Sequence, residues 1–519
     1  MSDEPKPDDL SADMAAMAPY CRMVTSILGG VKTMRMAGTD YLPKFPAESD
    51  TAYAYRSSVT KFTNVFRDIT ENLAQRPFSK PVQIKEDGAG PLVEFADNVD
   101  GQGNNLHVFA GELFFSGINY SISWVLVEHT KALDERASKK DEKQAGARPY
   151  WVHYQAKDVI AVHSAMVGGS EEFVHVRLSE PKVVRDGFGE KVVNRVRVLN
   201  REETAPGVYG PATYQVLQEP DEDDDGDDAA WTVVEEGPIT IGVIALVPFL
   251  AGRREGRSWV TNPPMRDAAE LQIDVYQQES ALKYAKEMTA FPMLAGNGVT
   301  PPTDAAGNVV SVPVGPHRVL YAPEGSWTFV EPSATSLTFM ATDIRDTIAQ
   351  LRELGRQPLT AQSGNLTVVT TAVAADKGNA AIQAWALNLK DALERCLIFT
   401  ALWLNLPALS PSVMINTEFD LSWRSDDTFE HVLAMRANGE ISREATIHEA
   451  KRRQVLDPEY DPDADLDLIL GDIESDDGDD EEPGADDRAK LGQVEETTGR
   501  KGLEGPKEKD DLNDETQNG

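Results

Sequence analysis

A chain of 519 residues, 41% apolar and 26% charged, can bury several cores, about three or four subdomains by length. A net charge of −36 argues against nonspecific wrapping of nucleic acid, which needs Lys and Arg to neutralise phosphates. The best apolar runs, Ile239 to Ala251 and Leu397 to Leu409, are interrupted or too short to span a bilayer, so no integral membrane protein is expected. Taken in order, residues 1 to about 15 read as a loose, polar terminus, and nothing before Pro46 has an apolar region followed by a cleavage site. The segment Thr51 to Leu73 reads as one helix, with Val59, Phe62, Phe66, Ile69 and Leu73 on one side, ending before Arg76-Pro77. A further apolar helix covers Leu106 to Ser121, and Ser123 to Val127 is strand-like. After a charged, exposed stretch from Lys131 to Gly146 come strand candidates at Tyr150–His153, Val159–His163, Phe173–Leu178, Val192–Val198, Tyr214–Leu217 and Trp231–Glu235. Ile239 to Phe249 could form a buried strand pair.

The stretch from Thr261 to Trp403 organises the rest. A helix begins after Asn262-Pro263-Pro264 and runs to Phe291, where Pro292 and Gly296 stop it. Leu271, Val275, Leu282 and Ala285 give it a thin apolar stripe, too little for the centre of a globule and suited to a wall shared with like neighbours. Val309–Val314, Arg318–Tyr321 and Ser326–Val330 are β-like, divided by Gly315-Pro316 and Pro323-Glu324-Gly325. A second helix carries Ile344, Ile348 and Leu351, with Gly355 as its C-cap. The two helices return the chain to where it left, so the β pieces project as a knob. Beyond a short polar segment, Arg356 to Thr367, a long helix from about Lys377 to Leu404 is greasier and belongs in the main body. Val413 to Trp423 is strand-like, and helical segments follow at Thr428–Asn438 and Arg443–Gln454. From Asp457 to the end, 24 Asp or Glu stand against 6 Lys or Arg, with no aromatic residue after Tyr460, so this tail is expected to be disordered.

Chemical motifs are sparse. There is no phosphate-cradling Gly-x-x-x-x-Gly-Lys, no His-Glu-x-x-His and no Cys/His zinc spacing. His153 and His163 could share a β surface, with packing or exposure the commoner fate of such residues. Asp221, Asp223, Asp225 and Gly226 imitate a calcium loop, but Thr232 stands where a bidentate Glu is required. The two cysteines, Cys21 and Cys396, fit a reducing compartment or indifference to redox, and Cys396 reads as a packing residue. No catalytic residue, metal site or cofactor is expected.

Several stretches, in order, resemble bacteriophage portal proteins, in particular a portal-like group long catalogued as uncharacterised phage proteins. They are Arg76-Pro77-Phe78-Ser79-Lys80-Pro81 closing the Phe62 to Pro81 segment, Pro292-Met293-Leu294-Ala295-Gly296 after the Pro263 helix, and Pro323-Glu324-Gly325 with Val330-Glu331-Pro332. Thr370-Thr371-Ala372, Asn416-Thr417-Glu418-Phe419 and Gly439-Glu440-Ile441-Ser442 follow. The resemblance spans approximately Tyr53 to Leu456 and implies an α+β portal fold with wing, helical stem, small β clip, long wing helix and helical crown. Its parts would be an N-terminal arm (1–50), a wing (51–260), a first stem helix (261–291), a clip (292–335) and a second stem helix (336–355). A tunnel loop (356–372), a long wing helix and strand (373–427), a crown (428–456) and the acidic tail (457–519) would complete it.

By the same resemblance about twelve copies would form a ring at one capsid vertex, without hydrolysing ATP, for DNA packaging and ejection. Its partners would be further copies of itself, double-stranded DNA, the large terminase subunit, head-tail adaptor or neck proteins, the major capsid protein and a scaffold, with no membrane; assembly would take place in the host cytoplasm. Arg356, Gln357, Thr360, Gln362 and Ser363 would lie in the tunnel loop; Glu279, Lys283, Arg345 and Arg352 along the stem channel wall; and His317, Arg318, Glu324 and Trp327 on the clip docking surface. The Asp221 to Asp228 run and the acidic tail match no motif of the family. The alternative of a different class is a metal-dependent enzyme using acidic residues of the N-terminal β region; a third is a virion structural protein without a channel.

Overall fold

The computed structural model describes residues 5–85, 90–130, 146–220, 230–290, 293–299, 325–330, 334–355, 368–406, 410–417 and 425–452, with a few shorter pieces. The chain is a mixed α+β protein that divides into two compact units, Met1–Phe419 and Asp420–Gly519. The first opens with α1 (Ala12–Leu28), α2 (Val31–Ala37), α3 (Asp50–Val59), α4 (Val65–Gln75), β1 (Gln83–Ile84), α5 (Gly90–Ala96) and α6 (Leu106–Tyr120). A β-rich stretch follows: β2 (Ile122–His129), β3 (Pro149–Gln155), β4 (Val159–Val167), β5 (Ser170–Ser179), β6 (Lys182–Asp186), β7 (Gly189–Val193), β8 (Arg195–Asn200), β9 (Glu203–Ala205) and β10 (Val208–Tyr209). It continues through β11 (Thr213–Gln218), β12 (Thr232–Pro238), β13 (Leu246–Leu250), β14 (Arg253–Arg254) and β15 (Thr261–Asn262). Then come α7 (Arg266–Ala290), β16 (Met293–Asn297), β17 (Ser326–Val330), α8 (Ala334–Leu354), α9 (Val368–Trp403) and β18 (Val413–Met414). The second unit contains α10 (Ser425–Ala437) and α11 (Arg443–Arg452), which pack on each other, with the Ser442 hydroxyl accepting from Ala445 N at 3.1 Å to start the second helix.

Two sheets dominate the first unit. One is antiparallel in the order β13-β2-β3; the other is five-stranded in the order β12-β11-β8-β5-β4. The three-stranded sheet is the centre of the core because β2 reads as a near-continuous apolar run, with Ile122 through Val127 all buried. Phe114 of α6 stacks on Phe249 of β13 at 5.7 Å. The helix comes this close because residue 117 is glycine: a Cβ there would stand 2.2 Å from Cε1 of Phe249.

Several sequence expectations are corrected. The terminus is ordered from Ala12, since Met14, Met17, Cys21, Val24 and Ile27 make α1 a buried helix and Ser11 N donates to Ile160 O at 2.9 Å. The expected helix Thr51–Leu73 is two helices. Thr60 turns its hydroxyl to Arg56 O and to Ser280 Oγ, 2.6 and 2.8 Å away, and Asn64 caps α4 by accepting from Arg67 N at 3.0 Å. Phe62 therefore leaves the helical face and meets Tyr276 edge-on at 5.4 Å. Only Leu246–Leu250 of the expected pair at 239–249 is a strand, because Gly242 at φ +75° turns the preceding residues. The strand expected at Val192–Val198 breaks at Asn194 into β7 and β8. Of the strand expected at Val413–Trp423, Val413–Met414 pairs with β1, residues 415–417 and 419 are not in a strand, and residues 418 and 420–424 lie outside the described residues. The stretches 309–314 and 318–321, the acidic run at 221–228 and most of the tail lie outside the described residues.

Candidate functional site

The first stem-like helix, α7, is 25 residues long, ~37 Å at 1.5 Å per residue, and its two halves live differently. Contrary to the sequence expectation, the stretch from Ala268 to Ser280 sits inside the body: Ala268, Ala269, Gln272, Ile273, Val275, Tyr276 and Ser280 are all buried. Hydrogen bonds supply what the thin apolar stripe does not. Gln272 Oε1 accepts from Phe66 N at 2.9 Å while its Nε2 donates to Thr63 O at 3.0 Å. Ser280 Oγ accepts from Arg56 Nη1 at 3.1 Å and lies 2.8 Å from Thr60 Oγ1. Buried polar groups cost stability only when unpaired, so these satisfied ones can replace leucines.

Arg56 is the hub of this root. Its guanidinium donates to both oxygens of Glu48, each at 2.8 Å, and to Pro43 O, and lies 4.0 Å from the Phe45 ring centroid. The paired side chains are only 1% and 4% exposed. Hydrogen bonding from Arg56 holds the Glu48 carboxyl below its ordinary value.

From α7 the chain enters the β16–β17 hairpin, in which Met293 pairs with Val330 and Asn297 with Ser326, and returns along α7 as α8. Met293–Asn297 was not foreseen as a strand; its alanine and glycine hide the pattern. Helix α8 turns Ile344, Ile348 and Leu351 inward. On the opposite face Asp343, Asp346, Gln350 and Glu353, spaced three, four and three residues apart, form an exposed stripe ~15 Å long. The helix ends against α4, where Gly355 N bonds Leu351 O at 2.8 Å. Glycine is needed here for close approach, since a Cβ would lie 2.6 Å from Cγ2 of Ile69.

Behind this pair, α9 is bolted to the body. Ile382, Trp385, Leu389, Leu393, Cys396 and Leu397 are buried. Trp151 Nε1 donates to Thr400 Oγ1 at 2.8 Å, Asn388 Nδ2 to Leu250 O at 2.9 Å and Arg76 Nη1 to Asn379 Oδ1 at 2.9 Å. Burial pushes the Cys396 thiol up, as expected of an inert packing residue.

Of the candidate wall residues, Glu279 accepts from Thr63 N at 3.0 Å and from its hydroxyl, Lys283 pairs with Glu287 at 3.0 Å, and Arg352 pairs with Asp68 at 3.1 Å. Arg345 is exposed on α8. Trp327 stands opposite Gly296 in the hairpin. Arg356, Gln357, Thr360, Gln362, Ser363, His317, Arg318 and Glu324 lie outside the described residues. The root itself, with Glu48, Arg56, Gln272 and Ser280, escaped the sequence reading; its only signal was two uncharged polar residues interrupting an apolar helix face.

The N-terminal β region offers no convergent donors: among the described residues no three His, Cys, Asp or Glu side chains are placed to share a metal ion. His153 does not share a surface with His163. It lies half-buried 2.7 Å from Ser123 Oγ, with its pKa lowered by desolvation to about 4, whereas His163 faces His175 with ring centroids 5.7 Å apart. Glu128 is half-buried between Arg197 and Tyr150, and desolvation raises its pKa.

Residues 264–404 match the model of a family described as "Domain of unknown function (DUF4055)". The match begins two residues before α7 and ends one residue after α9, so the family unit is the helix, hairpin, helix and long helix set out above. No curated protein matches the chain. Two solved structures are similar in outline. One, the neck of a native GTA particle computed with C12 symmetry, has 11% identity and a TM-score of 0.35 over 74% of this chain and 88% of that one. The other, the neck of an empty GTA particle computed with C6 symmetry, has 12% identity and a TM-score of 0.39 over 73% and 88%. At these values neither likeness fixes the fold.

Proposed function

We propose that the chain is the subunit of a portal-type ring, with α7 and α8 as the stem, the β16–β17 hairpin as the base of the clip and α9 as the helix that ties the stem to the wing. The observation that carries this reading is the helix pair rooted in the body at one end and joined to a strand pair at the other. One end is held by Arg56, Gln272 and Gly355, the other bears a hairpin, and the exposed face between them is lined with carboxylates. The resemblance in sequence to portal proteins supports it independently. Repeated around a ring, the Asp343, Asp346 and Glu353 stripe would repel phosphate and let duplex DNA slide without adhesion. Catalysis is not part of this function; the ring is a conduit at one capsid vertex and a docking surface for a packaging motor and for neck proteins. The second unit would serve as crown.

The test falls on the segment after Gly355. Rings carrying Arg356→Ala and Gln357→Ala should assemble normally but package or retain DNA with altered salt dependence, the slope flattening by roughly 0.9 for each phosphate contact removed. Wild-type packaging and retention across a salt series would take the segment out of the channel. Rings without any through-hole would leave a structural virion protein in place of a portal.

A further inference from the structure

Strands β5 and β8 do not stop at the edge of their sheet. Glu180 N bonds Arg195 O at 2.8 Å, and beyond Pro181 and Asn194 the pair continues as β6 and β7, a ribbon running from the Lys182–Val193 pair to the Asp186–Gly189 pair. This ribbon extends ~17 Å beyond the sheet. Every residue of β6 and β7 is exposed except Val193, which is half-buried. Val183 and Val192, paired across it, are 59% and 62% exposed, and Phe188 at the tip is fully exposed. A two-stranded ribbon with no layer beneath it is marginal in water, and an apolar tip held out to solvent marks a contact site.

A cleft lies at the other end of the same strands. Where β5 begins, a cleft of about 470 Å³ opens between Ser170 and Phe173, the chain at Ile244 and Leu246, and Ile398 and Phe399 of α9. Ile398 and Leu402, one helical turn apart, are 42% and 47% exposed. Ten residues of β5 separate cleft from ribbon, ~33 Å. Charged groups border both: Arg185 and Asp186 flank the aromatic tip, and the cleft is lined by Glu172, Arg201, Asp391, Glu394 and Arg395, of which Glu172 pairs with Arg201 and Glu394 with Lys390, so that Asp391 and Arg395 can meet Arg185 and Asp186.

We propose that the β6–β7 ribbon of one copy inserts Phe188 into the cleft of the next copy. Knob and hole at opposite ends of one element make a heterologous, head-to-tail contact, which propagates from copy to copy and closes if the rotation allows. This names the contact that would join neighbours in the ring proposed above, and it rests on that reading for closure alone.

Disulfide trapping of the full-length chain tests it. The double variant Phe188→Cys with Ile398→Cys, oxidised at assembly concentration, should give a covalent ladder beyond the dimer. Either single variant should stop at dimer, because Cys21 and Cys396 are buried. Phe188→Ser, at a position that touches nothing, should leave the fold intact and weaken association about tenfold or more. Absence of the ladder together with wild-type association of Phe188→Ser would overturn the ribbon contact. The ring reading is judged separately by whether the unmodified chain closes: a ladder of open chains would keep the contact and remove the ring, whereas closed rings without a ladder would do the reverse.

Discussion

Arg56→Met should lower the stability of the first unit by about 3 kcal/mol, the lower end of the range for breaking a buried ion pair. The lower end applies because the Arg56–Glu48 pair lies under a thin cover, with the overlying Phe45 37% exposed. Methionine keeps much of the volume but leaves the Glu48 carboxylate without its cation and Pro43 O and Ser280 Oγ without a donor. The pH profile identifies the cause. Arg56 depresses the folded-state pKa of Glu48, so the contribution is complete above the ordinary glutamate value of 4.5 and is lost as pH falls through the depressed folded value. Denaturant melts at pH 7 and below 4 should therefore show a gap between wild type and variant that narrows on acidification. An unchanged gap would mean that lost packing, not the ion pair, is responsible.

Trp151→Ala should cost about 3–5 kcal/mol, as for a large aromatic removed from a core. The indole is 1% exposed, stands 5.5 Å from the rings of both Phe95 and Phe109, and donates to Thr400. It is the point at which α9 is fastened to β3. Trp151→Phe separates the two contributions: it keeps most of the packing and removes one hydrogen bond, for a loss of about 1 kcal/mol. Thermal unfolding of both variants checks the expectation; equal losses would assign the whole effect to the hydrogen bond.

Much of the architecture was legible because local signals and tertiary need agree. Asn262-Pro263-Pro264 and Pro292 bracket α7, and the runs of β-branched and aromatic residues in β3, β4, β5 and β11 place those strands. The break at residues 60–64 was not legible. Val59, Phe62, Phe66, Ile69 and Leu73 keep helical spacing straight through it, and its cause, Ser280, is 220 residues away in sequence. The same distance hid the root of α7: Gln272 and Ser280 look like solvent-facing residues until Thr63 and Arg56 are brought beside them. Gly355 was recognised as the end of α8, but its reason, the approach to Ile69, is again a property of two elements together. The carboxylate stripe on α8 needed the structure too, because only burial of Ile344 and Leu351 shows which way Asp343, Asp346 and Glu353 face.

The central claim, that these chains close around a channel, is tested most directly by native mass spectrometry of the purified full-length protein combined with rotational class averages from electron microscopy. Closed rings of about twelve copies with an open central hole are the expected result. A homogeneous monomer under assembly-permissive salt, or a closed particle with no hole, would contradict it.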